Sequence, residues 1–326
     1  MNWQDSREST LAVDLGFDAV RALEVRPRRT GPAISFFACQ SVAEGPTETL
    51  PDRQLDALRE LLATHRIRTR RVIASMPTPL VVTRSVQIDR AKAVSVDEQI
   101  RATLANCLPF DCKDLVFDHW ATGIGSGARL EEVLVVATQA SVVQRYLAGF
   151  DRLKLTCVHL DVAPCAMATL IRKSAASPDA IIGAVALSVG VGFFVIVENG
   201  RVLFWRPFEL SAAPATQKGV IVSGLQTNLD RVGDEISKCV SHIVGAMQVD
   251  TLNELLLFGQ GSDDLVVNEY LKNRFHLPVR SPSPFDAFEG GGMTQGMRES
   301  VDHRTATQYH TAVGLALQCS GEATRG

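Results

Sequence analysis

The chain has no long apolar run, no strong charge of one sign and no leader-like start, and each absence excludes a class of protein. No apolar stretch reaches the roughly 20 residues that a helix needs to cross a bilayer. The 33 basic and 36 acidic residues give a net charge of −3, which argues against nucleic acid as the main partner. The polar beginning, MNWQDSREST, lacks the apolar core of a signal peptide. We therefore expect a cytoplasmic protein that reaches a membrane only through a partner.

The cysteines are also informative by what they lack, since none of the seven forms the closely spaced pair that a zinc site uses. They are Cys39, Cys107, Cys112, Cys157, Cys165, Cys239 and Cys319. Most lie in apolar surroundings, where a reduced cysteine packs like a small apolar residue. We therefore predict reduced core cysteines rather than metal ligands.

Length and composition are those of a soluble globular protein. The chain has 326 residues, of which 46% are apolar and 21% are charged. This length is sufficient for two domains of ordinary size.

Two stretches share one pattern, in which a short apolar strand, a turn with glycine and a second apolar strand follow one another. They are Leu11–Val25 and Ala184–Phe204. Backbone N–H groups at such a strand end can hold phosphate oxygens. Asp14, next to the first turn, has the carboxylate that Mg²⁺ prefers, whereas the second stretch has Ser188 in that place. The pattern predicts a nucleotide cradle that retains one of its two acids.

Both halves of the chain continue with helix and strand units, which predicts an α/β protein with mixed sheets. Helical spacing covers Asp52–His65, and a long amphipathic helix is predicted between Leu225 and Met247. The polar residues 174–178 separate the halves. If the two halves face each other, both glycine turns and a third turn, Gly259–Gly261, surround one cleft.

A distinct module at residues 81–153 interrupts the first half. Ser95 and Glu98 form a capping box that begins its first helix, which is predicted to stop at Pro109, and two strands joined by GIGSGAR follow. A glycine-rich loop between two strands is typical of a hairpin, because a phosphate-binding loop would open a helix. Nearer the C-terminus, residues 289–304 are glycine-rich and are expected to be mobile, and Gln308–Gln318 is a predicted helix.

Six short strings, in order along nearly the whole chain, resemble those of the actin-like ATPase superfamily, and in particular the PilM proteins of type IV pilus assembly. They are Asp14-Leu15-Gly16 with Val20 and Glu24, Leu108-Pro109-Phe110 with Asp118, Val158–Asp161 leading into Pro164–Leu170, Glu235-Ile236-Ser237-Lys238, Leu257–Gly261 and Ala312–Leu317. The six strings in this order are specific together. The division protein FtsA is a more distant relative.

The resemblance implies a two-domain actin-like (ribonuclease H-like) ATPase fold of the α/β class with an inserted 1C-type subdomain. The expected divisions are 1–80 and 154–176 for the first domain, 81–153 for the inserted subdomain and 177–326 for the second domain.

The resemblance also assigns expected nucleotide contacts. Asp14 and Gly16 would face the phosphates and Mg²⁺, with Asp14 as the metal ligand. Gly190 and Gly192 would form the second phosphate turn. The remaining contacts would be Glu235 and Lys238 at the ribose and base, and Gly259 and Gly261 beside the adenine. From the residues alone, Asp14 can equally be a strand-end acid, and the pair on the long helix can be a solvated face.

The chain departs from the family pattern at this ligand. Phe17 and Asp18 stand where small hydroxyl residues normally follow the first glycine, Ser188 replaces the second Asp and Gln260 replaces a glycine. Phe193 and Phe194 also replace a Thr-rich run. A carboxylate beside a phosphate is unfavourable in a partly dry cleft. These departures predict weak or absent binding of ATP or ADP with Mg²⁺, and no hydrolysis.

The function implied by the resemblance is a cytoplasmic scaffold, peripheral to the inner membrane, that binds the tail of a PilN-like membrane protein. Other pilus platform proteins and secretion motor ATPases are further partners that the resemblance implies. The tail would lie in an apolar groove between the inserted subdomain and the first domain, with walls from Val81–Ile88 and Leu115–Trp120. Trp205 can be either an exposed interaction residue or a core residue.

Three other functions stay open from the sequence. One is an active ATPase or a sugar-kinase relative, which needs an acid near the terminal phosphate. The others are a platform protein of type II secretion and a filament-forming protein like FtsA.

Overall fold

The computed structural model describes residues 8–28, 31–105, 107–108, 112–123, 127, 129–177, 179–210, 225–247, 252–288, 293, 297 and 299–319, and the statements below concern these residues. They form two five-stranded sheets, one three-stranded sheet and eight α-helices.

The first five-stranded sheet begins with the first predicted hairpin. Its order is β3-β2-β1-β4-β8, with β1 (Thr10–Leu15), β2 (Ala19–Arg28), β3 (Gly31–Ser41), β4 (Arg71–Met76) and β8 (Thr156–Val162). The hairpin strands are antiparallel, with Asp14 opposite Arg21, whereas β4 runs parallel to β1. Every residue of β1 is buried, because strands cover both of its edges and the core covers its faces.

The second five-stranded sheet repeats this arrangement with the second hairpin. Its order is β11-β10-β9-β12-β13, with β9 (Ile181–Leu187), β10 (Val191–Glu198), β11 (Arg201–Glu209), β12 (Glu254–Gly259) and β13 (Val279–Arg280). The predicted tight turn between β10 and β11 is present, with Asn199 and Gly200 both at positive φ. The edge strand β11 is hydrogen-bonded on one side only, to β10.

The three-stranded sheet lies within the predicted module. Its order is β5-β7-β6, with β5 (Val82–Asp89), β6 (Leu115–Ala121) and β7 (Leu130–Gln139). Val133 and Val135 of β7 pack in a small core with the helix that follows the capping box. Leu134 and Val136, which alternate with them, join the main core instead. The indole N–H of Trp120 donates to the carbonyl of Val202 at 2.7 Å and thereby ties this sheet to β11.

The helices cover the sheets and fill the space between them. They are α1 (Leu50–Thr64), α2 (Val96–Leu104), α3 (Ala140–Arg152), α4 (Ala163–Ser174), α5 (Leu225–Met247), α6 (Leu265–Phe275), α7 (His303–Thr307) and α8 (His310–Leu317). The capping box of α2 is formed, since Ser95 accepts from the Glu98 N–H and the Glu98 carboxylate accepts from the Ser95 N–H.

One apolar core is shared by the two five-stranded sheets, because α4 and α8 lie between them. Val13 of the first sheet, Val195 of the second, and Leu170 and Leu315 of the two helices belong to the same buried cluster. The α4 helix contacts β4 and β8 on one side and β10 and β11 on the other, and α8 packs on β1 and α4. The halves are therefore packed together through helices rather than joined by a linker alone.

Most predicted elements are present, and two details differ. The first helix of the module ends at Leu104, earlier than predicted, and Pro109 lies outside the described residues. The predicted helix Gln308–Gln318 corresponds to α8. A short additional helix, α7, precedes it, and the Asp302 side chain caps the N-terminus of α7. Of residues 289–304, for which the sequence predicts mobility, 289–292, 294–296 and 298 lie outside the described residues.

Trp205 is a core residue, since it is 1% exposed and packs edge-on against Phe193. This decides between the two alternatives that the sequence left for it. The boundaries of the domains are not tested by these observations and stay a prediction.

Candidate functional site

Three strand ends meet where the two halves face each other. The turns 16–18 and 188–190 follow β1 and β9, and β12 ends at Gly259. The second and third of these turns are bonded directly, because the N–H of Gln260 donates to the carbonyl of Leu187 at 2.9 Å. Asp14 and Gly16 of the first half and Ser188 and Gly259 of the second line one cavity, so the cleft that the sequence predicts is present.

The cavity left in this cleft is small, at about 60 Å³. Sites for small molecules and cofactors occupy about 300–1,000 Å³. Of the eight predicted contact residues, four line the cavity, namely Asp14, Gly16, Gly192 and Gly259.

The other four predicted contacts do not line it. Gly190 and Gly261 lie in the adjoining turns, both at positive φ. Glu235 and Lys238 pair with each other on α5 at 2.6 Å, and Glu235 also pairs with Arg206 of β11 at 3.0 Å. The structure therefore places these two charges beside β11 and not at the cavity.

Asp14 is buried at the floor of the cleft, with 6% of its surface exposed. Its carboxylate accepts a hydrogen bond from the Ser75 hydroxyl at 3.0 Å. Burial raises the pKa of Asp14 to about 6, although the charge of Arg21 and the Ser75 hydrogen bond oppose the shift. Among the described residues, no group of three or more His, Cys, Asp or Glu side chains could hold a metal ion.

Asp18, a departure from the family pattern, joins the two halves. Its carboxylate accepts from Arg21 at 3.0 Å, from the Ser188 hydroxyl at 2.8 Å and from the Gln260 amide at 3.3 Å. Arg21 in turn donates to Gln308 at 3.2 Å. Burial opposes ionisation of Asp18, but the charge of Arg21 and the hydrogen bonds from Arg21 and Ser188 outweigh it and lower the pKa below its usual value. We call these five side chains the cleft network.

A buried amide also holds the first turn from behind, and the sequence analysis missed it. Gln54 of α1 is fully buried and donates to the carbonyls of Leu15 and Gly16, both at 2.8 Å. Its own amide oxygen accepts from the hydroxyl of Tyr146 in α3. A signal was available, because Gln54 lies on the same helical stripe as the core residue Leu58.

Gly259 is required by the close approach of two strands, and its replacement gives a first prediction. A Cβ at this position would lie 2.0 Å from the carbonyl oxygen of Leu187, and φ is +87°. We expect Gly259→Ala to lower the free energy of unfolding by about 3 kcal/mol or more in urea titrations. Gly190→Ala is the matched control, because φ is +74° but a Cβ meets nothing within 4 Å. The control should cost only about 1–2 kcal/mol, and equal losses would contradict the steric argument.

A second, larger cavity of about 780 Å³ lies between the three-stranded sheet and β11. We call it the lateral groove. It is lined by Val81, Val82, Thr83, Arg84, Ser85, Cys107, Leu108, Leu134, Phe204, Trp205, Arg206 and Pro207. The predicted wall Val81–Ile88 contributes to it, but Leu115–Trp120 does not. The opposite wall is formed by β11 of the second half. The sequence analysis instead expected a wall from the first domain.

Two facing five-stranded sheets, each opened by a hairpin and sharing one cleft, define a protein of the actin-like ATPase fold. A family model described as type IV pilus assembly protein PilM matches residues 12–233 of the chain. The chain belongs to this family.

Solved structures agree with this fold. The chain is similar to a PilM-PilN type IV pilus biogenesis complex, with a TM-score of 0.78, 18% identity and coverage of 97% of this chain and 99% of that chain. It also resembles the cytoplasmic domain of EpsL, an inner membrane component of the type II secretion system of Vibrio cholerae, with a TM-score of 0.52, 11% identity and 95% of each chain covered.

A Bacteroides thetaiotaomicron protein of actin-like ATPase fold matches with a TM-score of 0.52 and 11% identity, over 88% of this chain and 98% of that chain. The comparison with curated proteins gave no match. Within the described part of the chain, no helix combines the length and the apolar character that a membrane span needs.

Proposed function

We propose that the chain is an actin-like scaffold of a type IV pilus platform at the cytoplasmic face of the inner membrane, where it binds the cytoplasmic tail of a PilN-like membrane protein. Membership of the PilM family is the observation that carries this proposal. The resemblance in fold to a chain from a PilM-PilN complex supports the same partner. Other platform proteins and motor ATPases are further partners in this proposal.

We also infer that the cleft does not serve as a site for Mg²⁺-ATP. The Asp18 carboxylate bridges the turns that would hold the phosphates, and it accepts the Ser188 hydroxyl hydrogen and one hydrogen of the Gln260 amide. Phosphate oxygens placed there would meet this negative charge in a partly dry space. The remaining volume of about 60 Å³ agrees with this view. The residues present therefore do not fit the nucleotide.

Binding of the tail is tested by calorimetric titration of the full chain. The titrant is a synthetic peptide with the sequence of the N-terminal cytoplasmic tail of the cognate PilN-like protein. We expect saturable one-to-one binding, and a scrambled peptide of the same composition is the control. If the cognate peptide binds no better than the scrambled one, the proposed partner is wrong.

The nucleotide inference is tested by thermal unfolding with and without millimolar Mg²⁺-ATP or ADP. A ligand at about 100 times its dissociation constant would stabilise the native state by about 2.7 kcal/mol and raise the melting temperature. We expect no shift and no phosphate release above buffer. If the wild-type chain instead releases phosphate from ATP and Asp14→Ala does not, the alternative of an active ATPase is established.

A further inference from the structure

We propose that a basic face at one end of the first five-stranded sheet lies directly against the anionic phospholipid headgroups of the membrane. The face consists of six exposed side chains, Arg26, Arg28, Arg66, Arg68, Arg70 and Lys154. It lies away from the cleft, because β1 runs from this end of the sheet to the turn that lines the cleft. The contact rests on the proposed function, which places the scaffold at a membrane, and adds a direct contact with the bilayer to the contact through the partner's tail.

The register of the strands brings these residues to the same end of the sheet. One row across the sheet contains Val25 of β2, Thr10 of β1, Arg71 of β4 and Thr156 of β8. Arg26 and Arg28 follow this row on β2, residues 66–70 precede it before β4, and Lys154 precedes it before β8. The last two segments are bonded, because the N–H of Thr156 donates to the carbonyl of Arg70 at 2.7 Å. From β2 to β8 the row crosses three spacings between strands, or about 14 Å.

The segment 66–70, RIRTR, turns its basic side chains outward by alternation. Its exposed side chains are Arg66, Arg68 and Arg70. The half-buried Ile67 between them packs against the main core, and the hydroxyl of Thr69 donates to the Glu24 carboxylate of β2. The alternate side chains therefore fasten the segment to the sheet and leave the arginines on its outer side.

The acids near the basic face leave most of its charges without a counterion. Glu24 is buried, pairs with Arg26 at 3.0 Å and also accepts from the hydroxyls of Ser35 and Thr69. Glu8 lies 3.9 Å from Arg71, which is not a member of the face. Within the part of the chain that the structure describes, no acidic side chain forms an ion pair with the other five members of the face.

This distribution of charge suits an anionic surface. The whole chain carries a net charge of −3, so such a surface repels most of the molecule and attracts the basic face. Each Lys or Arg held near an anionic leaflet strengthens binding about fivefold. Guanidinium groups also bind phosphate oxygens through paired N–H donors. The face therefore fixes the orientation of the scaffold as well as its attachment.

The shape of the basic face favours a bilayer over an acidic peptide. None of its six residues lines either of the two cavities described above. Bound peptides use a groove or a free strand edge, but β2 and β4 are interior strands whose edges are already paired. A layer of lipid headgroups can meet charges spread over about 14 Å at the same time.

Binding to vesicles by two matched double variants tests the basic face. Arg68→Gln with Arg70→Gln removes two charges from it, whereas the control, Arg101→Gln with Arg231→Gln, removes two exposed charges on α2 and α5. The net charge of the two variants is the same, so they differ in where the charge was lost. Urea unfolding of both variants checks that the fold is retained.

We expect the full wild-type chain to sediment with sucrose-loaded vesicles of phosphatidylcholine and phosphatidylglycerol, but not with vesicles of phosphatidylcholine alone. The variant of the basic face should lower the partition coefficient by about 25-fold, and the control by less than about twofold. Binding should weaken as the salt concentration rises. With anionic vesicles, hydrogen exchange should slow in residues 66–70 and stay unchanged in α2.

Titration with the tail peptide separates this proposal from the proposed function. The variant Arg68→Gln with Arg70→Gln should bind the tail as the wild type does. If the wild-type chain does not bind the tail, the proposed function fails. If it binds the tail but not anionic vesicles, or if both double variants lose vesicle binding equally, the basic face is not a membrane contact. Tighter binding of poly-glutamate or of an oligonucleotide than of vesicles, with the same dependence on Arg68 and Arg70, would assign the face to another polyanion and overturn the proposal.

Discussion

Replacement of Asp18 with alanine is expected to lower the free energy of unfolding by about 3–5 kcal/mol, because it leaves the buried Arg21 without its carboxylate. The partners Ser188 and Gln260 lose their acceptor at the same time, and these side chains belong to the other half of the molecule. The loss should be visible in urea titrations as a lower midpoint with a similar slope. Asp18→Asn, which keeps an acceptor but no charge, should fall between wild type and alanine.

The structure offers a matched control for this prediction. Asp56 and Arg59 on α1 form an ion pair with the same sequence spacing and the same 3.0 Å distance, but both side chains are more than half exposed. Asp56→Ala should therefore cost less than about 1 kcal/mol. A double-mutant cycle of Asp18→Ala with Ser188→Ala should give a coupling of about 0.5–3 kcal/mol across the cleft. A small effect of Asp18→Ala, equal to that of the exposed control, would show that the cleft network does not hold the halves.

Replacement of Asp14 with asparagine is expected to stabilise the protein at pH 7–8 by roughly 3 kcal/mol. The native pKa of Asp14 is raised from 3.8 to about 6, and each unit corresponds to about 1.4 kcal/mol. The native state therefore holds this proton more tightly than the unfolded state. The stabilising contribution of protonated Asp14 is present below pH 3.8 and is lost as the pH rises through 6.

The pH dependence is the decisive measurement for Asp14. The wild-type free energy of unfolding should lose this contribution between pH 4 and pH 7, and Asp14→Asn should remove that part of the slope. The two proteins should be close in stability near pH 4. Asp56→Asn, which removes a carboxylate at an exposed site, is the control for the loss of one negative charge. A destabilised Asp14→Asn at pH 8 would mean that the carboxylate is ionised at little cost and that the buried-acid interpretation is wrong.

Local signals in the sequence predicted the local parts of the fold. The capping box at Ser95 and Glu98, the turn at Asn199 and Gly200, and the amphipathic pattern of α5 each depend on residues close together in the chain. The two hairpins and their order of helices and strands indicated the architecture, and the family comparison confirms it.

The contacts between distant segments could not be predicted in the same way. The sequence identified Asp18, Ser188 and Gln260 as three separate departures, but 170 and 242 residues separate Asp18 from the other two, and no local pattern pairs them. The lateral groove shares β5 with the tail groove expected from the sequence, and that tail groove stays a prediction. The other wall of the lateral groove depends on how the three-stranded sheet docks on β11 through Trp120, which is a tertiary contact.

The helix pair between the two sheets has a mechanical consequence. Because α4 contacts strands of both halves and packs on α8, a hinge opening would pull apart one continuous apolar core. A force applied to one half is therefore transmitted through this core to the other half, and the two halves respond as one rigid body rather than by hinge motion. Such stiffness suits the scaffold role proposed above.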